Sequence, residues 1–372
     1  MRYGEAFRDK EAAGALVQRI AAAAQRPTRL MEVCGTHTMA LFQHGIRGLM
    51  PEAITLLSGP GCPVCVTPRA EVDAAIALAR MEDVTLATFG DMMRVPGSET
   101  SLTDEGASGR RIEVVYSPTD ALAIARRDSD RQVVFLGVGF ETTAPSVACT
   151  ILDAAQHGIA NFSVLCVHKV IPPALRALLS AEDVRVDGFL CPGHVSTIIG
   201  SRPYEFISEQ FGVPCAIAGF EPLDILHGIL LLAEIVSAGE ARVEIGYTRA
   251  VRPEGNPAAL EHIERVFEPA DAEWRGLGWI DDSGLAIRPE LEAHDAARRF
   301  ESVIAETKAR SAAVADPLGC ICGEVLRGTH TPLDCPHFGK SCTPQDPVGP
   351  CMVSSEGTCA AHYRYGDARD AD

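Results

Sequence analysis

The sequence predicts an α/β fold in which two parallel-sheet domains face each other across a cleft, followed by a Cys-rich C-terminal domain. From Thr28 onward, short β-branched apolar runs alternate with Gly- or Pro-containing turns and helical segments, which is typical of parallel sheets with helical crossovers. After Pro317 this pattern stops, and Gly, Pro, Thr, Ser and Cys dominate. Such a segment buries too little apolar surface to fold without a metal, a cluster or crosslinks.

The element boundaries follow from the apolar runs and the turns between them. The predicted strands are Arg29–Val33, Ile54–Leu57, Val84–Phe89, Ile112–Tyr116, Val133–Val138, Ser163–Val167, Gly188–Leu190, Cys215–Ala218 and Val243–Tyr247. The predicted helices are Pro68–Arg80, Pro118–Arg127, Thr143–His157, Pro172–Leu179, Pro222–Ala238, Pro257–Phe267 and Pro289–Lys308. The charged stretch Ala125–Gln132 is interpreted as a boundary. The predicted domains are an N-terminal helix (1–28), two α/β domains (29–130 and 131–241), and a helical linker with the C-terminal domain (242–372).

Composition argues against several classes of protein. The formal net charge of −17, without a Lys/Arg cluster, disfavours a nucleic-acid partner. The most apolar stretch, residues 216–236, is interrupted by charged side chains that are expensive in a bilayer, so neither a transmembrane helix nor a membrane partner is predicted. Residues 1–26 have no unbroken apolar core and no cleavage site, so we expect a cytoplasmic protein. P-loop, GxGxxG and GxSxG motifs are absent from the sequence.

The thirteen cysteines predict metal binding or thiol chemistry, because the cytosol keeps thiols reduced. Six of them lie in turn-rich surroundings near the C-terminus: Cys320, Cys322, Cys335, Cys342, Cys351 and Cys359. Thiolates on such loops suit an iron–sulfur cluster, and the spacing lacks the paired knuckles of structural zinc. A zinc site and inert buried thiols remain alternatives. Cys149, Cys166 and Cys215 lie among apolar neighbours and are predicted to be buried core thiols.

Distinctive loops follow five of the predicted strands, where open α/β sheets bind their ligands. They are CGTHT (34–38), GPGCPVC (59–65), GFETTAPS (139–146), CPGHVS (191–196) and GFEPLD (219–224). Cys62 and Cys65 precede a helix, a position that lowers thiolate pKa and favours a dithiol switch. Half of a zinc knuckle is the alternative.

The CGTHT turn combines a thiol, Cys34, with His37 and Thr38. This set can bind a transition metal, although a lone cysteine after a strand is more often part of the core. A turn at the same sheet edge as CPVC would bring the thiols of both loops within reach of one another.

Glu141 and His194 are predicted to close a cleft over these thiols from the opposite domain. Helix capping by Thr142 or Ser196 is the alternative.

Taken together, the five loops and the closing runs CGEVLRG and CTPQDPVGPCMVSSEGTCAAHY resemble the hydrogenase maturation family HypD over about residues 32–365. The resemblance implies two α/β domains and a C-terminal domain with a 4Fe–4S cluster. It implies a scaffold with redox activity, not a classical turnover enzyme, on which the Fe(CN)2CO group of nickel–iron hydrogenases is assembled. The implied partners are a HypC-type chaperone, a HypE-type cyanide donor and, indirectly, the hydrogenase large subunit.

The resemblance also implies roles for individual residues. The implied cluster ligands are Cys320, Cys335, Cys342 and Cys359, with Cys322 and Cys351 as a dithiol beside them. Cys34, with a cysteine of the HypC-type partner, would hold the iron being assembled. We hypothesise that electrons pass from Cys322/Cys351 to Cys62/Cys65. In the same hypothesis His37 and Thr38 orient ligands, Glu141 and His194 line the cleft, and Glu356 moves protons near the cluster.

Two other functions remain open from the sequence. One is an iron–sulfur-driven thiol/disulfide oxidoreductase without iron assembly, and the other is a zinc-stapled interaction module. The CGTHT turn favours the scaffold, since neither alternative needs it.

Overall fold

The structure is a computed structural model that describes residues 5–314 and 319–366. Its strands are β1 (Thr28–Glu32), β2 (Ile54–Ser58), β3 (Val84–Thr88), β4 (Ile112–Val114), β5 (Gln132–Gly137), β6 (Phe162–Cys166), β7 (Gly188–Pro192), β8 (Cys215–Ala218), β9 (Val243–Ile245), β10 (Phe267–Trp274) and β11 (Gly278–Ile287). The longer helices are α1 (Lys10–Ala23), α2 (Gly35–Gln43), α4 (Arg69–Ala79), α6 (Pro118–Arg127), α7 (Ala144–Gln156), α8 (Ile171–Ser180), α11 (Pro222–Ser237), α12 (Pro257–Val266), α14 (Glu301–Ala312) and α16 (Thr358–Tyr365). Shorter helices are α3 (Pro63–Val66), α5 (Leu102–Ala107), α9 (Gly193–Ile199), α10 (Glu205–Phe211), α13 (Ala296–Arg299) and α15 (Cys322–Leu326).

Two parallel sheets organise these elements. The first sheet has the strand order β2-β1-β7-β8-β9, and the second has the order β4-β3-β5-β6. Every neighbouring pair in both sheets is parallel. β3 and β7 are buried along their whole length, as expected of parallel strands covered on both faces. The predicted α/β class with parallel sheets is confirmed, and each predicted strand is present within two residues of its predicted bounds.

The sheets do not follow the domain division predicted at residue 130. β3 and β5 lie on either side of that position and pair with each other, whereas β7 returns to pair with β1. The first sheet therefore combines residues 28–58 with 188–245, and the second comprises residues 84–166. The charged stretch interpreted as a boundary runs from the last turn of α6 to the first residue of β5, and in it Arg127 pairs with Asp128. Periodicity locates strands but does not determine which of them pair.

An antiparallel hairpin, β10–β11, was not predicted. β10 contains Pro269 and three acidic residues, which strands disfavour, so its sequence does not have the pattern of a strand. Its ends are nevertheless buried, and the indole N–H of Trp274 donates to the hydroxyl of Ser283 at 2.9 Å inside the core. The helix predicted over residues 289–308 is instead divided into a 3-10 turn, α13 and α14.

Residues 319–366 pack against α2 of the first sheet and against the turn that follows β3 of the second sheet. α16 lies on α2, and the rings of His362 and Phe42 are 5.1 Å apart. Arg94 donates to the carbonyl oxygens of Pro344 (2.9 Å) and Val353 (3.2 Å). The Cys-rich segment thus shares one apolar core with the strands that carry the loops. In the part of the chain that the structure describes, no helix combines the length and apolar character needed to cross a bilayer.

Candidate functional site

Four of the five predicted loops leave the carboxyl edge of the first sheet. CGTHT follows β1, GPGCPVC follows β2, CPGHVS begins in β7, and GFEPLD follows β8. Parallel strands bring these ends to one edge. GFETTAPS follows β5 in the second sheet. The prediction that His194 approaches from the domain opposite Cys34 is therefore wrong, because β7 pairs with β1 and places both residues at the same edge.

The CGTHT and CPVC loops lie side by side at this edge, as expected from their positions. The backbone N–H of Gly35 donates to the carbonyl oxygen of Gly61 at 2.9 Å. A methyl group at Gly61 would overlap the backbone of Cys34, so this approach requires glycine.

Cys34 stands at the start of α2 and is buried. Burial, reinforced by the negative charge of Glu356, raises the pKa of the Cys34 thiol to about 12, while the backbone N–H groups of His37 and Thr36 act in the opposite direction. Without a metal, Cys34 is therefore a protonated thiol at neutral pH. A metal that binds its sulfur must displace the proton.

Glu32, at the end of β1, is the acidic partner of this turn. The Thr38 hydroxyl donates to its Oε1 at 2.6 Å, and the Cys34 backbone N–H donates to Oε2 at 3.3 Å. Burial raises the pKa of Glu32 to about 7. Thr38, predicted to orient ligands, holds this carboxyl group. The predictions missed Glu32, although an acidic residue ending an apolar strand was visible in the sequence.

His37 is fully buried, and its tautomer follows from its contacts. Nε2 lies 2.9 Å from the carbonyl oxygen of Gly219, so Nε2 carries the proton. Nδ1 is buried with no hydrogen-bond partner among the described residues. Burial lowers the pKa of His37 to about 4, which keeps the ring neutral. Phe220, which sequence reasoning missed, contacts His37 at 4.9 Å between ring centroids and stacks on the exposed His194 at 3.8 Å.

Glu356 joins the Cys-rich segment to the Cys34 turn. The Thr36 hydroxyl donates to Glu356 Oε1 at 2.6 Å, and a methyl group at Gly35 would lie 2.5 Å from Glu356 Cβ. Burial raises the pKa of Glu356. A protonatable carboxyl group thus lies against the predicted iron-binding turn.

The CPVC thiols connect to the C-terminal cysteines through Cys351. Cys65 Sγ lies 2.7 Å from Cys62 Sγ, and Cys351 is hydrogen-bonded to Cys322, Cys359 and Cys65. Hydrogen bonds from Cys322 and then from Cys359 and Cys65 lower the pKa of Cys351. The neighbouring thiols therefore favour the thiolate form of Cys351. Burial raises the pKa of Cys65, so the lowered thiolate pKa predicted for CPVC is wrong for this cysteine.

Five of the six C-terminal cysteines line one narrow cavity. It is lined by Cys320, Cys322, Cys335, Cys342 and Cys359, together with apolar side chains that include Val325, Phe338 and Met352. A methyl group at Gly349 would lie 2.7 Å from Cys322 Sγ and 3.0 Å from Cys320 Sγ, and the Val348 N–H donates to Cys342 Sγ at 3.3 Å. Several thiols, a backbone N–H at a sulfur and an apolar shell fit an iron–sulfur cluster.

Within residues 5–314 and 319–366, no three or more His, Cys, Asp or Glu side chains are close enough together to hold one metal ion. A four-iron cluster makes a different demand, because each of its four cysteines binds a different iron.

Three side chains differ from their predicted surroundings. Glu141 is buried and does not line an open cleft; its Oε1 accepts the backbone N–H of Ile171 at 2.9 Å, at the start of α8. Cys149 is exposed, so its prediction as a core thiol was wrong, because the buried face of α7 is formed by its neighbours. Cys166 is only partly buried, whereas Cys215 is buried as predicted.

The alternative that Thr142 or Ser196 caps a helix in the GFETTAPS and CPGHVS loops is not supported. Thr143, not Thr142, occupies the position before α7 and makes no side-chain cap. Ser196 lies inside α9, where its hydroxyl donates to the carbonyl oxygen of Pro192 at 2.7 Å.

The chain is similar over nearly its whole length to proteins of one family. A family model, HypD, described as "Hydrogenase formation hypA family", matches residues 11–366. The chain is 48% identical over 380 aligned residues to the hydrogenase maturation factor HypD of Rhodobacter capsulatus, covering 100% of both chains. It is 46% identical over 384 residues to that of Cupriavidus necator, with 100% and 98% covered. It is 44% identical over 380 residues to that of Rhizobium leguminosarum bv. viciae, with 100% and 97% covered. The chain belongs to the HypD family of hydrogenase maturation factors.

Proposed function

We propose that this chain is the scaffold on which the Fe(CN)2CO group of nickel–iron hydrogenases is assembled, in a complex with a HypC-type chaperone. Iron and its diatomic ligands are the substrate. The observation that carries the proposal is the contact between the Cys34 turn and the CPVC loop. The CPVC thiols are in turn linked to the C-terminal cysteines through Cys351. One thiol can hold iron while its neighbours supply electrons.

Cys34 binds the iron through its sulfur, and a cysteine of the HypC-type partner completes the thiolate pair. The backbone N–H groups at the start of α2 favour the thiolate that iron binding creates. The neutral His37 ring, with its proton fixed on Nε2, offers Nδ1 as an acceptor. Glu356 receives or returns protons through Thr36.

Cyanide arrives as a thiocyanate on a HypE-type donor. Its release is a two-electron reduction: the thiocyanate and the two CPVC thiols yield the donor thiol, hydrogen cyanide and a Cys62–Cys65 disulfide. The S–CN bond breaks and one S–S bond forms, so atoms and electrons balance. A buried dithiol beside the iron-binding turn suits this step, because cyanide is released next to the metal that takes it up.

Cys351 restores the CPVC dithiol. Its thiolate attacks Cys65 to form a mixed disulfide and free Cys62, and Cys322 then attacks Cys351 to release Cys65. The product is a Cys322–Cys351 disulfide. A 4Fe–4S cluster held by Cys320, Cys335, Cys342 and Cys359 would supply single electrons beside this pair.

The decisive experiment uses infrared spectroscopy on the complex with the HypC-type partner, prepared without oxygen. Cys34→Ala should abolish the bands of iron-bound cyanide and carbonyl while the cluster absorbance near 400 nm remains. Cys149→Ala, on the exposed face of α7, is the matched control and should retain the bands. Bands that survive in Cys34→Ala refute the iron-binding role.

The cluster ligands are tested separately. Cys335→Ala should lose the visible absorbance together with acid-labile sulfide, whereas Cys149→Ala should keep both. Unchanged absorbance in Cys335→Ala would contradict the ligand set.

A second candidate function is an iron–sulfur-driven thiol/disulfide oxidoreductase without iron assembly. The hydrogen-bonded thiols from Cys62 to Cys322 favour it as much as they favour the scaffold. It predicts disulfide reduction that does not depend on Cys34 or on the HypC-type partner. Two results together would support it: full reductase turnover in Cys34→Ala, and no infrared bands in the complex of the unmodified chain.

A further inference from the structure

A groove runs along one edge of the first sheet, at β2, which pairs with β1, the strand that carries the iron-binding turn. β2 is the edge strand, and all five of its residues line the groove. The other wall comes from the Cys-rich segment, including Val325, Pro332 and Leu333. The groove has a volume of about 330 Å³. It is therefore a surface shared by the sheet and the cysteine segment.

The wall between this groove and the cysteine cavity is one residue thick. Val325 lines both spaces. Thr358 lines the groove, and the next residue, Cys359, lines the cavity. A molecule seated in the groove is therefore separated from the cysteines by a single layer of side chains.

The charge of the groove differs from that of the whole chain. The sequence has 50 acidic and 33 basic residues, yet the described residues that line the groove include no Asp or Glu. They do include Arg47, His330 and His362. Arg47 is fixed against β2 by hydrogen bonds to the carbonyl oxygen of Leu56 (2.7 Å) and the hydroxyl of Ser58 (3.0 Å). Asp334 accepts hydrogen bonds from Thr331 beside the groove and lies near His330, so the basic side chains that an acidic partner would meet are those of Arg47, His330 and His362.

The rim and the floor of the groove suit a transient protein partner. Leu333 is 40% exposed, and Phe42, Met50 and Val325 provide an apolar centre. Small apolar centres with complementary charge are typical of weak, electrostatically steered electron-transfer encounters.

We propose that this groove is the docking surface for a small acidic electron-carrier protein that feeds the cysteine cavity. The inference rests on the proposed function, since it assumes a reducible iron–sulfur centre in the cavity. The carrier is oxidised by one electron at each encounter and the centre is reduced by one. Two encounters and two protons convert one Cys322–Cys351 disulfide into two thiols.

The test uses the full chain and two purified probes, a flavodoxin and a ferredoxin with 4Fe–4S clusters. Binding of each oxidised probe is measured by calorimetry at low salt. His330→Glu and Leu333→Glu place negative charge on exposed positions of the groove, and each should weaken binding about tenfold. Tyr116→Glu, at a 94% exposed position beside the second sheet, is the control and should bind like the unmodified chain.

Reduction of the chain is then followed in the same variants. Reduced flavodoxin should reduce the groove variants about tenfold more slowly, while dithionite, which needs no docking surface, should reduce all variants at one rate. A chain that lacks iron and sulfide, or that dithionite cannot reduce, refutes the proposed function instead, and the binding data still decide the docking surface. Absence of binding by both probes, or equal losses in the groove variants and Tyr116→Glu, overturns the inference.

Discussion

The unmodified chain should lose unfolding free energy as pH rises because Glu141 is buried, and replacing Glu141 by Gln should remove this loss. Glu141 is 4% exposed, its Oε2 has no partner among the described residues, and burial raises its pKa from 4.5 to about 7. The folded chain therefore retains a proton that the unfolded chain releases. The stabilisation from a raised pKa is fully present below about pH 4.5 and is lost as pH rises through about 7.

The magnitude follows from the two pKa values. Each pKa unit corresponds to about 1.4 kcal/mol, so between pH 5 and pH 8 the unmodified chain should lose about 2 to 3 kcal/mol of unfolding free energy through this group. Gln does not titrate, and its carbonyl oxygen can still accept the N–H of Ile171. The difference in unfolding free energy between Glu141→Gln and the unmodified chain should therefore shift in favour of the variant by about 2 to 3 kcal/mol from pH 5 to pH 8.

Urea unfolding at several pH values, followed by tryptophan fluorescence and circular dichroism, measures this difference. Glu113→Gln, at an exposed position of β4, is the matched control. Glu32 also has a raised pKa, but it is present in all three chains and its contribution cancels. Parallel pH profiles for the unmodified chain and Glu141→Gln would refute the reasoning.

Two further substitutions test one contact at the site and one in the core of the hairpin. Gly35→Ala places a methyl group 2.5 Å from Glu356 Cβ and 2.8 Å from its carbonyl oxygen, so it should destabilise the chain by about 1–3 kcal/mol. Gly14→Ala, where α1 faces open space, should not lower Tm, and equal shifts in both variants would contradict the packing argument. Ser283→Ala leaves the buried indole N–H of Trp274 without its acceptor and should cost about 1–3 kcal/mol in urea unfolding. A change within about 0.5 kcal/mol, as for ordinary surface substitutions, would argue against that bond.

The sequence was sufficient to locate most strands and to bring two loops together. β1 and β2 are consecutive strands with apolar runs and clear turns, and neighbouring parallel strands end at one edge. That reasoning correctly placed the CGTHT turn beside CPVC. It depended on local periodicity and on short connections, which are the features that a single sequence records best.

The pairing of strands distant in sequence, and the face of a helix on which a side chain lies, could not be predicted in this way. The pairing of β7 with β1 depends on which strand fits beside a buried neighbour, and no local pattern encodes that choice. Cys149 lies between two buried residues of α7, but a helix turns its successive side chains to different faces. The position of Cys351 between Cys65 and Cys322 depends on how loops pack, which cysteine spacing does not specify.

The interrupted first sheet has a consequence for how the chain is made. β1 and β2 are synthesised early, but their neighbour β7 follows the whole of the second sheet in the sequence. At ribosomal elongation rates of ~5–20 residues per second, the first pair waits on the order of ten seconds for its partner, while the second sheet is complete enough to fold. During that interval Cys34, Cys62 and Cys65 belong to an unfinished layer. The three thiols that the finished site buries therefore stay accessible to solvent and to metal ions until β7 is made.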